Sequence, residues 1–73
     1  MYPKINKFYR HYKGGLYKVI DIVVHSETLE EMVLYEPQRE NKIKLWVRPL
    51  KMFMEKVIVN GKKVPRFKLI KEA

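Results

Sequence analysis

Trp46 is the aromatic residue of this chain best placed to contact a ligand, because a basic residue stands two positions away on either side. Side chains alternate between the two faces of a strand, so a strand here puts Trp46 on one face with Lys44 and Arg48. A ring between two cations can stack on a nucleobase while the cations hold phosphates. The apolar residues of the strand fall on the opposite face, which we predict to be the core face: Ile43, Leu45 and Val47.

The same pattern fits a structural role, in which Trp46 is half-buried and Arg48 stacks across it as cover. A second aromatic and basic run near the N-terminus belongs to the same hypothesis, since its cations would lie near the Trp46 face. The predicted ligand-binding residues are therefore Trp46, Arg48, Lys44, Arg10, His11 and Tyr12.

Catalytic and metal chemistry is not favoured by the sequence. A catalytic triad could be composed of Ser26, His25 and Asp21. However, adjacent strand residues such as His25 and Ser26 point to opposite faces and cannot share a hydrogen bond. We predict that His25 ends a strand by bonding to the turn that follows, and the alternative is a polar contact beside an aromatic surface. The chain has no cysteine and two histidines, so we predict no metal site, cofactor or catalytic residue. The acidic residues near position 30 are interpreted as a solvated loop: Glu27, Glu30 and Glu31.

The net charge of +8 is large for 73 residues and is unevenly distributed. Acidic residues concentrate in 26–41, whereas basic residues dominate 1–25 and 42–73. This distribution fits either a polyanion partner or a solubilising surface. No apolar run approaches the ~20 residues of a membrane span. The N-terminus carries lysines without an apolar segment, which predicts a cytoplasmic protein rather than a secreted one.

Segments rich in β-branched residues alternate with turn signals along the chain. We predict strands near 8–12, 16–25, 32–36, 43–48, 54–59 and 62–67, and one helical turn after Pro49. Asn60-Gly61 predicts a type I′ hairpin turn. The expected fold is mainly β, a small SH3-like barrel of five or six short strands with one helical turn, and a split-sheet α+β domain is the alternative.

The predicted boundaries are a flexible N-terminal arm over 1–7, a single barrel domain over 8–67 and a C-terminal tail over 68–73. The predicted core consists of apolar residues from these strands and the helical turn: Leu16, Ile20, Ile22, Val24, Leu34, Leu45, Val47, Leu50, Phe53, Val57 and Val59.

Several separated strings together resemble the small bacterial family catalogued as domain of unknown function 1653. They are Tyr9-Arg10-His11-Tyr12-Lys13-Gly14, His25-Ser26-Glu27-Thr28, Leu45-Trp46-Val47-Arg48-Pro49-Leu50 with Met52-Phe53, Asn60-Gly61 and Val64-Pro65-Arg66-Phe67. The resemblance covers roughly residues 8–67. It implies a compact bacterial domain and carries over no activity or catalytic residue.

Three functions remain open at this point. The first is a non-catalytic module that binds RNA, single-stranded DNA or a nucleotide, with cations for phosphates and rings for bases. The alternative is a protein- or peptide-interaction module, in which an edge strand or an aromatic groove receives a peptide. The third is an enzyme or accessory subunit that acts on a small anion held by Arg48 and His11. None of these functions involves a membrane, and the sequence leaves the oligomeric state open.

Overall fold

The computed structural model describes residues 1–39 and 45–70 and is mainly β, as predicted. The elements of these residues are β1 (Phe8–His11), β2 (Leu16–Val24), β3 (Glu31–Pro37), β4 (Trp46–Pro49), α1 (Leu50–Phe53), β5 (Lys56–Val59), β6 (Lys62–Pro65) and β7 (Phe67–Leu69). Each predicted strand is present with ends shifted by a few residues, and the predicted helical turn is α1. Ile43 and Lys44 lie outside the described residues.

The strands form two separate antiparallel sheets rather than a closed barrel within the described part of the chain. Five strands pair in the order β4-β3-β2-β1-β7, and β5 and β6 form a two-stranded hairpin. The last predicted strand is divided at Arg66, which connects the two sheets. Its N–H donates to the Glu55 carbonyl at 3.0 Å, and its own carbonyl accepts from the Tyr12 N–H at 2.9 Å. The chain therefore leaves the hairpin at Arg66 and joins the edge of the main sheet.

The Asn60-Gly61 turn of the hairpin has the geometry that the sequence predicts. Asn60 has a φ of 51° and Gly61 a φ of 78°, as a type I′ turn requires. The predicted bonding of His25 to the turn after β2 is present, since its Nδ1 accepts the N–H groups of Glu27 at 3.1 Å and Thr28 at 3.3 Å. His25 thus shapes the loop between β2 and β3.

The core is a cluster of aromatic rings on one face of the five-stranded sheet. Its buried members are Tyr9, Tyr17, Val19, Val33, Tyr35, Phe53 and Phe67. The rings meet mostly edge to face at 5.4–5.7 Å, as between Tyr17 and Tyr35 or between Tyr35 and Phe53. Edge-to-face packing is a favoured arrangement because each positive ring edge meets a negative ring face.

The predicted core face of β4 was wrong. Leu45 and Val47 are 47% and 54% exposed. Pairing with β3 places Trp46 opposite Tyr35, which is 2% exposed. The Trp46 face is therefore the inner face. Large rings remove more apolar surface from water than Leu or Val, so the sheet turns its aromatic side inward.

The same misassignment affects β2, where Val24 was predicted to be buried and is 57% exposed. Val19 lies inside with 0% exposure, and the register shifts between Val19 and Asp21. This bulge returns Ile22 to the inner face, where it packs on the core. Val59, at 36%, is exposed as well. Among the other predicted core residues Phe53 is buried, and the remainder are half-buried: Leu16, Ile20, Leu34, Leu50 and Val57.

Residues on both sides of the predicted domain boundaries contact the main sheet. The Tyr2 hydroxyl donates to the Glu31 carboxylate, and the Asn6 N–H donates to the Val19 carbonyl at 2.8 Å. Strand β7 extends to Leu69, two residues beyond the predicted end of the domain. No helix in 1–39 or 45–70 has the length and apolar content needed to cross a membrane.

Candidate functional site

A cleft of about 940 Å³ lies where β1 and β7 face the β5–β6 hairpin. It is lined by Arg10, His11, Tyr12, Gly14, Val59, Val64, Pro65, Lys68, Leu69 and Ile70. The hairpin supplies an apolar wall, and the main sheet supplies the polar groups. Every charged residue in this lining is basic, so the cleft is suited to an anion with an apolar or aromatic portion.

Arg10 and Lys68 give the cleft its charge. They are directly opposite each other in the β1–β7 register. Like charges in this position repel each other. Arg10 donates to the Gly14 carbonyl at 2.9 Å, and neither residue forms an ion pair within the described ranges. An anion between them would relieve the repulsion.

The aromatic part of the cleft is Tyr12, at the end of β1. Its side chain is 40% exposed, and its ring lies 4.6 Å from the His11 ring at an interplanar angle of 32°. The Lys13 ammonium group lies 5.7 Å from the centre of the Tyr12 ring. Since His11 supports one side of Tyr12, the exposed part of the ring can stack on a planar ligand.

His11 stands in a positive electrostatic environment. Its Nδ1 accepts the Lys13 N–H at 3.1 Å, and its ring packs edge-on against Phe67 at 4.9 Å. Burial lowers the pKa of His11 below its usual 6.5, and the nearby charges of Arg48, Arg66 and Lys13 lower it further. The imidazole is therefore neutral at pH 7.

This lowered pKa predicts a pH-dependent stability. Between the two pKa values the unfolded chain binds more protons at His11 than the folded chain does, so stability is full above about pH 6.5 and falls as the pH drops below it. Chemical denaturation at several pH values between about 5 and 8 measures the change. His11→Gln should flatten the dependence, whereas the matched variant His25→Asn should retain it. An unaltered profile in His11→Gln would contradict the prediction.

Trp46 and Arg48 lie on the inner face and do not line the cleft. Trp46 is half-buried, with its ring 5.8 Å from Tyr17 and 6.0 Å from Tyr35. The Arg48 Nε donates to the Tyr35 hydroxyl at 3.2 Å, and the guanidinium lies 5.4 Å over the Phe67 ring. Arg48 thus covers Phe67 rather than Trp46.

The structure brings three of the predicted site residues together in the cleft, Arg10, His11 and Tyr12. Sequence reasoning missed Lys68, which had been assigned to the C-terminal tail. The alternation of Phe67, Lys68 and Leu69 was the available signal, because it is typical of a strand with one basic face. Within the described residues, no three His, Cys, Asp or Glu side chains are grouped as metal ligands would be.

Fold and cleft together define a small antiparallel β domain with a basic cleft beside a hairpin. The family described as "Protein of unknown function (DUF1653)" matches residues 7–69, and the chain belongs to this family. The resemblance seen in the sequence is therefore confirmed. The crystal structure of a protein of the same family from Bordetella bronchiseptica is similar, with a TM-score of 0.82 and 27% identity over 96% of this chain and 91% of that chain. No curated protein matches the sequence significantly.

Proposed function

We propose that the protein is a non-catalytic module that binds single-stranded nucleic acid or a nucleotide in the cleft. The observation that carries the proposal is the lining, in which the basic pair Arg10 and Lys68 stands beside the exposed Tyr12 ring. Cations that line the same cleft as an open ring match the phosphates and bases of a single strand. The proposed location is the cytoplasm, where RNA and nucleotides are available.

The two kinds of contact predict separable effects on affinity. Contacts from Arg10 and Lys68 to phosphates release counterions, so they make binding dependent on salt, with a slope of about 0.7 per contact for single strands. Stacking on Tyr12 contributes about 1–3 kcal/mol per base and depends little on salt. Variants that lose phosphate contacts should therefore differ from variants that lose the stacking ring, both in the salt dependence of binding and in affinity.

The test is fluorescence anisotropy of an oligouridylate of about ten nucleotides and of its DNA counterpart at several salt concentrations. The double variant Arg10→Gln/Lys68→Gln should reduce the salt slope by about 1.4 and weaken binding at low salt. Tyr12→Ala should weaken binding about tenfold or more and leave the slope unchanged.

A matched control removes the same charge away from the cleft. Lys51 and Lys56 are exposed and do not line it, so Lys51→Gln/Lys56→Gln should retain most of the slope. Equal losses in the two double variants would show that the net charge of the protein, and not the cleft, attracts the ligand. Absence of binding to both oligonucleotides and to a mononucleotide at low salt would refute the proposal.

Peptide binding is the second candidate, and the apolar wall of the cleft favours it. Val59 and Val64 of the hairpin form that wall, and Leu69 and Ile70 extend the apolar lining on the side of the main sheet. Apolar contacts weaken little with salt, so a peptide that combines an acidic residue with aliphatic residues should remain bound at a salt concentration that releases a nucleic acid. Retention of such a peptide, together with no binding of oligonucleotides, would select this alternative.

A further inference from the structure

Two cationic or potentially cationic groups, His11 and Arg48, contact one rigid ring next to the cleft, and a third, Arg66, lies near His11. The His11 ring lies 4.9 Å from the Phe67 ring, and the Arg48 guanidinium lies 5.4 Å over it. Arg66 precedes Phe67 in the chain and is close enough to His11 for its charge to lower the pKa of the imidazole. Phe67 is 6% exposed and stacks on Phe53 at 4.0 Å with an interplanar angle of 4°, so it holds its neighbours in fixed positions.

These three groups retain unused hydrogen-bond donors. The Nε of Arg66 is buried without a hydrogen-bond partner in the described part of the chain. Arg48 uses its Nε on the Tyr35 hydroxyl and pairs with no carboxylate in 1–39 or 45–70. His11 accepts through Nδ1 in its neutral form, which leaves Nε2–H as a donor.

The positive charge around His11, Arg48 and Arg66 is only partly balanced by carboxylates. Arg66 bonds to the Glu55 carboxylate through Nη2 at 2.8 Å, and that carboxylate is 54% exposed. Within the described ranges, no second carboxylate pairs with His11, Arg48 or Arg66. Buried or half-buried guanidinium groups are normally paired, so this arrangement is suited to an anion that supplies several acceptor oxygens.

We propose that His11, Arg48 and Arg66 bind the terminal phosphate monoester of the ligand whose chain or base occupies the cleft. The inference rests on the proposed function and names its ligand class more closely, as nucleic acid or nucleotide with a terminal phosphate. A monoester carries about −1.5 to −2 charges and three acceptor oxygens, whereas an internal diester carries a single charge and offers two free oxygens. His11 connects the two regions, since it lines the cleft and also contacts Phe67.

Calorimetric titration with three unlabelled oligouridylates tests the proposal: one with a 5′ phosphate, one with a 3′ phosphate and one with neither. We expect one of the phosphorylated forms to bind about tenfold more tightly than the unphosphorylated form, since hydrogen bonds between charged groups are the stronger ones. Arg48→Met keeps the aliphatic stem on Phe67 and should abolish this preference. His11→Gln should reduce it.

The double variant Arg10→Gln/Lys68→Gln is the control, because it should weaken all three oligonucleotides and leave the preference for phosphate unchanged. Equal binding of the three oligonucleotides by the unaltered protein would overturn this inference, although the proposed function would stand. A preference that survives in Arg48→Met and His11→Gln would also overturn it. Thermal melting monitored by Trp46 fluorescence confirms that each variant is folded.

Inorganic phosphate provides a test that does not require nucleic acid to bind. A phosphate anion beside His11 opposes the field of Arg48 and Arg66, so it should raise the pKa of the imidazole, which NMR of the His11 ring measures. The pKa should respond less in Arg48→Met. If millimolar phosphate leaves the His11 pKa unchanged in the unaltered protein, the three groups do not form a phosphate site.

Discussion

Replacing Phe53 by Ala is expected to remove most of the stability of the domain. Phe53 is 1% exposed, stacks on Phe67 and meets Tyr9 and Tyr35 edge to face at 5.6 and 5.7 Å. Loss of a buried Phe costs about 3–5 kcal/mol, because the transfer free energy is lost and a cavity remains. A domain of this size has little stability in excess of that amount. Thermal or urea unfolding followed by circular dichroism measures the loss.

Leu45→Ala and Val47→Ala are the matched controls for Phe53→Ala. Both side chains are about half exposed, so each substitution should change stability by about 0.5 kcal/mol or less. This expectation reverses the one from the sequence, in which the two residues were assigned to the core. A large loss in both controls, with a small loss in Phe53→Ala, would show that the aromatic face is not the core.

Gly15→Ala is expected to cause the second largest loss of stability, through a clash with the ring of Tyr17. A Cβ at this position would lie 2.8 Å from the Tyr17 Cε2 and 2.9 Å from its hydroxyl oxygen. Tyr17 is 9% exposed and is packed against Tyr35, Trp46 and Phe67, so its ring has little room to move. Overpacking of this kind costs about 1–3 kcal/mol. The displaced ring should also alter Trp46 fluorescence.

Gly14→Ala separates backbone strain from this clash. Gly14 has a φ of 108°, but a Cβ there meets no atom within 4 Å. Its substitution should therefore cost stability through the backbone alone and leave the emission of Trp46 unchanged. Identical fluorescence spectra for the two Ala variants would contradict the proposed displacement of Tyr17.

Strand positions and turns could be predicted from the sequence because they depend on local chemistry. Asn60-Gly61 tolerates positive φ, and runs of β-branched residues bounded by turn signals mark the strands. The inner face of β4 could not be predicted in the same way. Leu45 and Val47 alternate with Trp46 and Arg48 along the strand. Either pair could form the buried face, because both arrangements have the strand period of two. The choice depends on the rings that β2 and β3 bring to the same face, which is a tertiary property.

The candidate site was predictable where its residues are adjacent in the chain. Arg10, His11 and Tyr12 follow one another, and their types alone indicated a basic and aromatic surface. Lys68 joins them only through the pairing of β7 with β1, which links residues far apart in sequence. The division of the last strand at Arg66 creates this pairing, and Pro65 gives only a partial signal of it.

The separate hairpin has a consequence for how this family can diversify. Strands β5 and β6 pair only with each other in the described structure, yet Val59 and Val64 form part of the cleft wall. Substitutions there alter the shape of the cleft without disturbing the ladder of the five-stranded sheet. Relatives can therefore evolve new ligand preferences on the hairpin while the aromatic core, which determines whether the chain folds, stays the same.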